Sequence, residues 1–518
     1  MNFLLIISLI VYTLATAFIF LYTFIQVHLL YGYLSKKKYQ QQRIKTSEEN
    51  GKNTRPFVTI QLPMYNEPFV CKRLIDAVCN FDYPLNKFEV QILDDSNDET
   101  ITIIDNCVTY WQQKGIDIAV VRRPIRSGFK AGALKYGLEI IKGDLVAIFD
   151  ADFIPTKDFL SKTLPHFANP KIGMVQTRWG HINRDYSVLT KCQSFWLENH
   201  FKIEQTGRNS MGAFFNFNGT AGVWRKQTIL EAGNWQEDTL TEDLDLSYRS
   251  QLKQWEFLYL EDVVAPAELP PTLDAFKSQQ FRWVKGGAEV AKKMIPRILK
   301  SEQSVVVKWH AISHLLNSGV YLALGVSAIF SLPLLLIKSY IPSLNNWLNI
   351  GLVFNLNFIV LSVTYFIANK DYFITKTFAI LRFIGWQQMY LSLSMAMSFH
   401  NSRAVLLGYF GKRTAFVRTP KFNIEIMGVD SFKRFEKTGL YAVFLNSFLC
   451  LLFASAFFYG IATKNFGFIL FHGSIAFGLG LLIYMKLNDL NNIKTATTIS
   501  TTNKKLVTDT VSHALTPA

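Results

Sequence analysis

The sequence predicts an α/β soluble domain that is inserted between an N-terminal transmembrane helix and a C-terminal α-helical membrane domain. Three observations lead to this fold class. Residues 3–34 contain no Asp, Glu, Lys or Arg, short β-rich runs alternate with helical stretches between 55 and 180, and long apolar runs recur after residue 310. Hydrophobic residues make up 49% of the 518-residue chain and charged residues only 18%, which favours a chain with both a membrane part and a soluble part.

The first apolar run is predicted to be an uncleaved membrane anchor. It is longer than the apolar core of a signal peptide, and no basic segment precedes it. Three lysines at 36–38 follow it directly, and because basic residues collect on the cytosolic side of a membrane, we expect residue 35 onward to be cytosolic. The expected boundaries are 1–34 for the helix and 35–310 for the soluble domain.

The segment 311–490 is predicted to be the membrane domain, with about four spans. The apolar run at 374–397 is interrupted by charged residues and by "WQQ", so we expect it to lie as a helix in the cytosolic interface. This arrangement keeps the strongly basic segment 398–437 on the cytosolic side. Residues 491–518 are rich in Thr, lack core periodicity and are predicted to be disordered.

The net charge of +15 raises the question of nucleic-acid binding. No nucleic-acid-binding motif accompanies the charge, and a membrane protein gathers Lys and Arg on its cytosolic faces. We therefore expect contacts with membrane lipids and no nucleic-acid partner.

Two acidic clusters follow predicted strands of a mainly parallel sheet, at the edge where such sheets bind ligands. They read "LDDS" at 93–96 and "FDAD" at 149–152. One cluster alone would be explained by helix capping, but two clusters on one sheet favour a site. Asp150 and Asp152 are two residues apart and point to the same side of a continuing strand, which suits a divalent cation that also bridges phosphates. No "GxxxxGK" or "GxGxxG" is present, so we expect a diphosphate to be held by metal and scattered cations.

Two further stretches supply a cation and a candidate base. In "RSGFKAGAL" (126–134), Lys130 stands at the start of a predicted helix and is a candidate contact for a phosphate or a nucleobase. In "LTEDLDLSYR" (240–249), three carboxylates crowd a predicted helix N-terminus. They are either a capping cluster or the surroundings of a general base, Asp243, whose pKa its neighbours raise.

These motifs carry a family resemblance. "LDDS", "FDAD", "TED" and "QQFRW", in this order and ahead of several apolar runs, resemble the processive family 2 glycosyltransferases, which include cellulose, chitin and hyaluronan synthases. The sequence is most similar to the plant cellulose-synthase-like A and C groups, the mannan and glucan synthases, through "GFKAGALKYGL" and "FFNFNGTAGVWR". The resemblance covers roughly 55–300 and continues more weakly through 402–421.

The resemblance implies a GT-A fold and inverting transfer of a sugar from a nucleotide-diphospho-sugar, GDP-mannose or UDP-glucose, to a growing β-glycan. The implied donor contacts are Asp94 and Asp95 for the nucleoside, Asp150 and Asp152 for the diphosphate and Mg²⁺ or Mn²⁺, and Lys130. Asp243 is the implied base for the acceptor hydroxyl, and the loop containing Asn218 and Gly219 lines the implied acceptor site. "FVRTPK" resembles a gating loop, in which Arg418 and Lys421 would contact the diphosphate.

"SQQFRW" (278–283) allows two interpretations. Trp and Arg often anchor a protein at a membrane interface. The stretch also follows the base motif and precedes the first C-terminal span, so it is expected where the active site meets the membrane. There Arg282 would face the leaving diphosphate, Trp283 would stack on an acceptor sugar, and Gln279 would fix the pair by hydrogen bonding.

Two other functions are compatible with parts of the pattern. A non-processive transferase acting on a lipid acceptor would share the acidic motifs, and a transporter with a degenerate nucleotide-sensing domain would share the layout. The intact set of acidic and basic motif residues argues against the transporter. The sequence leaves mannose and glucose undecided, and it favours a bacterial inner membrane over a Golgi membrane.

Overall fold

The computed structural model describes residues 2–51, 55–338, 354–375, 377–411, 421 and 440–514. An α/β domain built on one sheet follows a long N-terminal helix, and further long helices follow the domain. This layout confirms the fold class predicted from the sequence.

The α/β domain is built on a seven-stranded mixed sheet. Its strands are β1 (Val58–Met64), β2 (Phe88–Asp94), β3 (Ile118–Val121), β4 (Leu145–Ile148), β5 (Ile172–His181), β6 (Gly222–Arg225) and β7 (Glu256–Ala267). Their order across the sheet is β3-β2-β1-β4-β6-β5-β7, and only β6 runs antiparallel to its neighbours. The carboxyl ends of β1, β2 and β4 therefore meet at one edge.

The helices of this domain follow the predicted alternation. They are α2 (Cys71–Cys79), α3 (Thr100–Gln113), α4 (Phe129–Leu138), α5 (Phe159–Thr163), α6 (Val188–Glu198), α7 (Thr206–Ser210), α8 (Lys226–Glu231), α9 (Glu242–Leu252) and α10 (Leu273–Lys300). Strand β2 is buried along its whole length, because helices cover both faces of the sheet. A π-helical turn, Asn199–Gln205, joins α6 to α7.

The remaining helices include the apolar ones. They are α1 (Asn2–Gly51), α11 (Val305–Leu315), α12 (Gly319–Lys338), α13 (Phe354–Phe373), α14 (Ala379–Tyr409), α15 (Leu440–Ala462) and α16 (Ile469–Ala514). Within the described part of the chain, four stretches are long and apolar enough to cross a membrane: Ile6–Ser35, Gly319–Leu336, Tyr441–Ala462 and Phe466–Asn491. The protein is therefore an integral membrane protein.

Two helices of this region cover segments for which the sequence makes a prediction. Helix α16 continues to Ala514, whereas a disordered tail is predicted from 491; no Gly or Pro interrupts the chain between Gly480 and that residue. Of the segment 374–397, predicted as an interface helix, the residues from Ala379 onward form the first part of α14, which packs on α10, α12 and α16. The span count and domain boundaries stay predictions, as does the interfacial position of this helix.

Candidate active site

A cleft of about 200 Å³ opens at the carboxyl ends of β1, β2 and β4 and is closed by the starts of α9 and α10. Most of the sequence-predicted site residues line it. They are Asp95, Lys130, Asp150, Asp152, Asn218, Gly219, Asp243, Gln279, Arg282, Trp283 and Lys421. Residues from seven separate stretches of the sequence thus share one cavity.

The two aspartates after β2 have different surroundings. Asp95 lines the cleft, where its carboxylate forms a bidentate pair with Arg123 at 2.8 and 2.7 Å. Asp94 is turned away from the cleft and buried; it accepts from Arg122 Nε at 2.8 Å and from the Ser96 backbone N–H at 3.0 Å. Only Asp95 is therefore placed for direct contact with a ligand, and the predicted donor contact of Asp94 is not supported by this geometry.

The carboxylates after β4 are each held by a lysine. Lys130 Nζ lies 2.6 Å from Asp150 Oδ1 and also donates to the Gly219 carbonyl at 2.8 Å. Lys421 Nζ lies 2.5 Å from Asp152 Oδ1. Burial alone would raise the pKa of Asp150, but the nearby cations Lys130, Lys421 and Arg282 outweigh it and lower that pKa. Lys130 and Asp150 therefore both keep their charge. Arg418, the other predicted gating-loop contact, lies outside the described residues.

Asp243 stands in the first turn of α9, where a helix dipole would favour the carboxylate. Burial opposes this and, with Glu242 beside it, raises the pKa of Asp243 to about 7, while Lys130 acts in the other direction. The Leu244 N–H donates to Oδ1 at 2.8 Å. The third carboxylate, Asp245, is buried and lies 2.8 Å from Arg249 Nε, one turn farther along the same helix. Asp245 is thus a structural residue, whereas Asp243 is the candidate base.

Helix α10 brings the "QQFRW" residues to the opposite wall of the cleft. Burial lowers the pKa of the Arg282 guanidinium, an effect that Glu242, Asp150 and Asp243 oppose. The Trp283 ring centre is 6.1 Å from that of Trp196. The arginine thus faces the acidic motifs, and the tryptophan belongs to an aromatic wall; the hydrogen bonding predicted for Gln279 stays a prediction.

Sequence reasoning missed several cleft residues, which lie just after β1 and in the last part of β5. Tyr65 and Glu67 come directly after β1, and the Arg126 guanidinium lies 3.4 Å from the centre of the Tyr65 ring. Trp179 and His181 reach the cleft from β5, and burial lowers the pKa of His181 to about 3. "PMYNE" (63–67) could have been found by the same strand-end rule that singled out "LDDS".

The carboxylates fit a divalent cation that is shared with a substrate. Within the described residues, no group of three or more His, Cys, Asp or Glu side chains is placed to hold a metal. Asp150 and Asp152 do supply two carboxylates to one cleft that also contains cations for a diphosphate. Mg²⁺ commonly binds one or two carboxylates together with substrate phosphates, so the donor set suits a metal that arrives with the nucleotide.

The sheet order and the acidic cleft define the GT-A class of α/β domain. Residues 55–286 match the family described as "Glycosyltransferase like family 2". The family resemblance and fold predicted from the sequence are thus confirmed.

Curated plant relatives align over the same part of the chain. "Probable glucomannan 4-beta-mannosyltransferase 4" of Oryza sativa subsp. japonica is 45% identical over 53% of this chain and 51% of its own length. "Glucomannan 4-beta-mannosyltransferase 1" of Cyamopsis tetragonoloba is 42% identical over 54% of this chain and 55% of its own length. The chain spans about half the length of the curated relatives it matches.

Among solved structures, a mannosyltransferase from Pyrobaculum calidifontis in complex with GDP-Man and Mn²⁺ is similar. It is 17% identical with a TM-score of 0.48, over 76% of this chain and 99% of that chain.

Proposed function

We propose that the protein is a membrane-embedded, inverting β-mannosyltransferase that builds a mannan or glucomannan chain from GDP-mannose. The observation that carries the proposal is the placement of Asp243, whose pKa is about 7, in one cleft with Arg282, Lys130 and two strand-end carboxylates. A base and a set of cations on facing walls are what a single displacement at a sugar phosphate requires. The plant relatives support mannose over glucose as the transferred sugar.

In the proposed reaction, Asp243 takes the proton of an acceptor hydroxyl as that oxygen attacks the anomeric carbon. The bond between this carbon and the phosphate oxygen breaks, and the nucleoside diphosphate leaves with the electron pair. Arg282, Lys130 and Lys421 stabilise the charge that develops on the diphosphate. When bound on Asp150 and Asp152, Mg²⁺ or Mn²⁺ supplies further positive charge to the leaving group.

A second cavity is much smaller, at about 20 Å³. It lies between α6, α10, α12 and α14 and is lined by aromatic and amide side chains, among them Trp196, Tyr321, Tyr390 and Gln280. Trp196 also lies beside Trp283 of the catalytic cleft. This volume admits about one water molecule and no sugar ring, so the choice of an elongating enzyme over one that adds a single sugar to a lipid rests on the plant relatives.

The proposed orientation places the α/β domain in the cytosol, where a nucleotide sugar is available. The lysines at 36–38 after the first apolar stretch support it. The relatives reported above are plant proteins, so they do not support the predicted preference for a bacterial inner membrane.

The test uses membranes that contain the full chain, incubated with radiolabelled GDP-mannose or with UDP-glucose. We expect GDP-mannose to give a long polymer that β-mannanase degrades. A labelled glycolipid with one sugar would favour the lipid-acceptor enzyme instead. No transfer from either donor would overturn the proposed function.

A further inference from the structure

The loop that contains Asn218 lies beside a polar pair of side chains on the π-helical turn Asn199–Gln205. In this turn His200 and Glu204 are neighbours, with Nδ1 of the histidine 3.3 Å from Oε2 of the glutamate. The other ring nitrogen, Nε2, lies 3.3 Å from Oδ1 of Asn218 in the cleft. One side chain thus connects a buried carboxylate to the amide that lines the catalytic cavity. π-helical turns are rare and are often found at functional sites.

Glu204 is fixed independently of the cleft. Its Oε1 accepts a hydrogen bond from Gln26 of α1 at 2.9 Å, and Arg208 lies 3.8 Å from Oε2. Burial would raise the pKa of Glu204, but His200 and Arg208 outweigh it and lower that pKa to about 2. The glutamate is therefore an ionised acceptor. It orients the ring by accepting from the Nδ1–H group. Nε2 is then an acceptor for Gln205 Nε2 at 3.4 Å, and Gln205 Nε2 also donates to Asn218 Oδ1 at 3.2 Å, so the ring acts on the Asn218 amide through Gln205.

The Asn218 amide keeps one unused hydrogen-bond donor. Its Oδ1 is approached by Gln205 Nε2 at 3.2 Å and Asn216 Nδ2 at 3.0 Å as well as by His200. Its Nδ2 is shielded from solvent and has no hydrogen-bond partner among the described residues. An amide held on one side and lacking a partner on the other is prepared for a hydroxyl group of a ligand.

We propose that His200 and Glu204 form a positioning pair that fixes the Asn218 amide in the acceptor half of the cleft and thereby sets the affinity for the glycan terminus. The inference rests on the proposed function, since it concerns the acceptor of that reaction. Neither side chain touches the donor carboxylates or Asp243. The pair therefore acts on the acceptor through Asn218 and is not itself catalytic.

The test compares two substitutions that each preserve one half of the ring. His200→Asn retains a polar group near Nδ1 and loses the contact of Nε2, whereas His200→Gln reaches the Nε2 position. Full-length protein in membranes is assayed with GDP-mannose and β-1,4-mannotetraose, each varied while the other is saturating. We expect His200→Asn to raise the acceptor KM about tenfold, as loss of one buried hydrogen bond does, with the donor KM unchanged. His200→Gln should restore most of the acceptor affinity.

A second variant, Glu204→Gln, keeps the size of the side chain and removes the carboxylate that orients the ring. We expect the same selective rise in the acceptor KM. An unchanged acceptor KM in both His200→Asn and Glu204→Gln overturns the inference, and so does a parallel rise in donor and acceptor KM values, which indicates general distortion. If the wild-type protein transfers sugar from neither donor, the proposed function itself fails, which distinguishes the two results.

Discussion

Lys421 Nζ lies 2.5 Å from Asp152 Oδ1 and 3.9 Å from Glu67 Oε1. The lysine comes from the chain beyond α14, whereas the two carboxylates follow strands β4 and β1. A residue from the helical part of the chain thus completes a cleft that is built mainly by the sheet. The carboxylates raise the pKa of Lys421 against the effect of burial, so the lysine remains a cation.

Replacing Lys421 by Met keeps the apolar stem and removes the charge. Because the lost cation faces the site of a diphosphate, we expect the KM for GDP-mannose to rise about tenfold while the acceptor KM stays near the wild-type value. Steady-state kinetics with each substrate varied in turn measures this. Lys87→Met, at an exposed position, is the control. A donor KM equal to the control would contradict the role.

Transfer by the wild-type protein should rise with pH through about 7, because Asp243 must be ionised to accept a proton and burial raises its pKa to about 7. Asp243→Asn should reduce the transfer rate by about 10² to 10⁴ and leave GDP-mannose binding intact. Rates from pH 5.5 to 8.5 and calorimetric titration with donor provide the measurements. Asp262→Asn, at an exposed position, should keep the wild-type profile. Transfer by the Asp243→Asn variant at the wild-type rate would exclude Asp243 as the base.

The same carboxylate should make stability depend on pH. Burial raises the pKa of Asp243 in the folded state from 3.8 to about 7, so the folded protein binds a proton that the unfolded protein has released. Its ionised form therefore costs stability above pH 7, and the cost disappears as the pH falls below about 4. We expect Asp243→Asn to raise the Tm at pH 8, by about 2 to 4 °C per kcal/mol recovered, but not at pH 4. Thermal unfolding of the variant and the wild-type protein at pH 8 and pH 4 measures this effect. An equal change in Tm at both pH values would show that ionisation of Asp243 does not affect stability.

Gly219 offers a test of the space around the base. Its φ is +80°, and an added Cβ would lie 3.0 Å from Asp243 Oδ2 and 3.5 Å from Lys130 Nζ. Gly115 has nearly the same φ, +81°, with no atom within 4 Å of an added Cβ. Both alanine variants should lose about 1 to 2 kcal/mol through backbone strain. Only Gly219→Ala should also lose transfer, as measured by rate per folded molecule. Equal activity in the two variants would show that the contact does not matter.

The sequence predicts the site well where a residue's role follows from its position at the end of a strand. Asp95, Asp150 and Asp152 lie at the predicted edge of the sheet, because the carboxyl ends of parallel strands must meet there. The strand-end rule does not tell which of two adjacent residues, such as Asp94 and Asp95, faces the cleft. Asp94 pairs with Arg122 because β3, which lies beside β2, ends next to that arginine.

Contacts between distant parts of the chain were beyond sequence reasoning. The antiparallel β6 gives no signal in a pattern that alternates strands with helices. Likewise, the link from Gln26 through Glu204 to Asn218 depends on how α1 packs beside the π-helical turn. Such contacts are fixed by tertiary packing, which a local periodicity does not encode.

Helix α10 carries Arg282 and also contacts the residues around Asp243. Glu289 Oε2 accepts a hydrogen bond from the Leu240 N–H at 2.8 Å. Lys293 Nζ lies 2.9 Å from Asp245 Oδ1. Helix α10 has 28 residues and is about 42 Å long, and α14 packs against it. Arg282 and the segment that carries Asp243 are thus joined through one helix, on which α14 packs. A displacement of α10 would therefore carry Arg282 and the start of α9 together, and the distance between them would be kept.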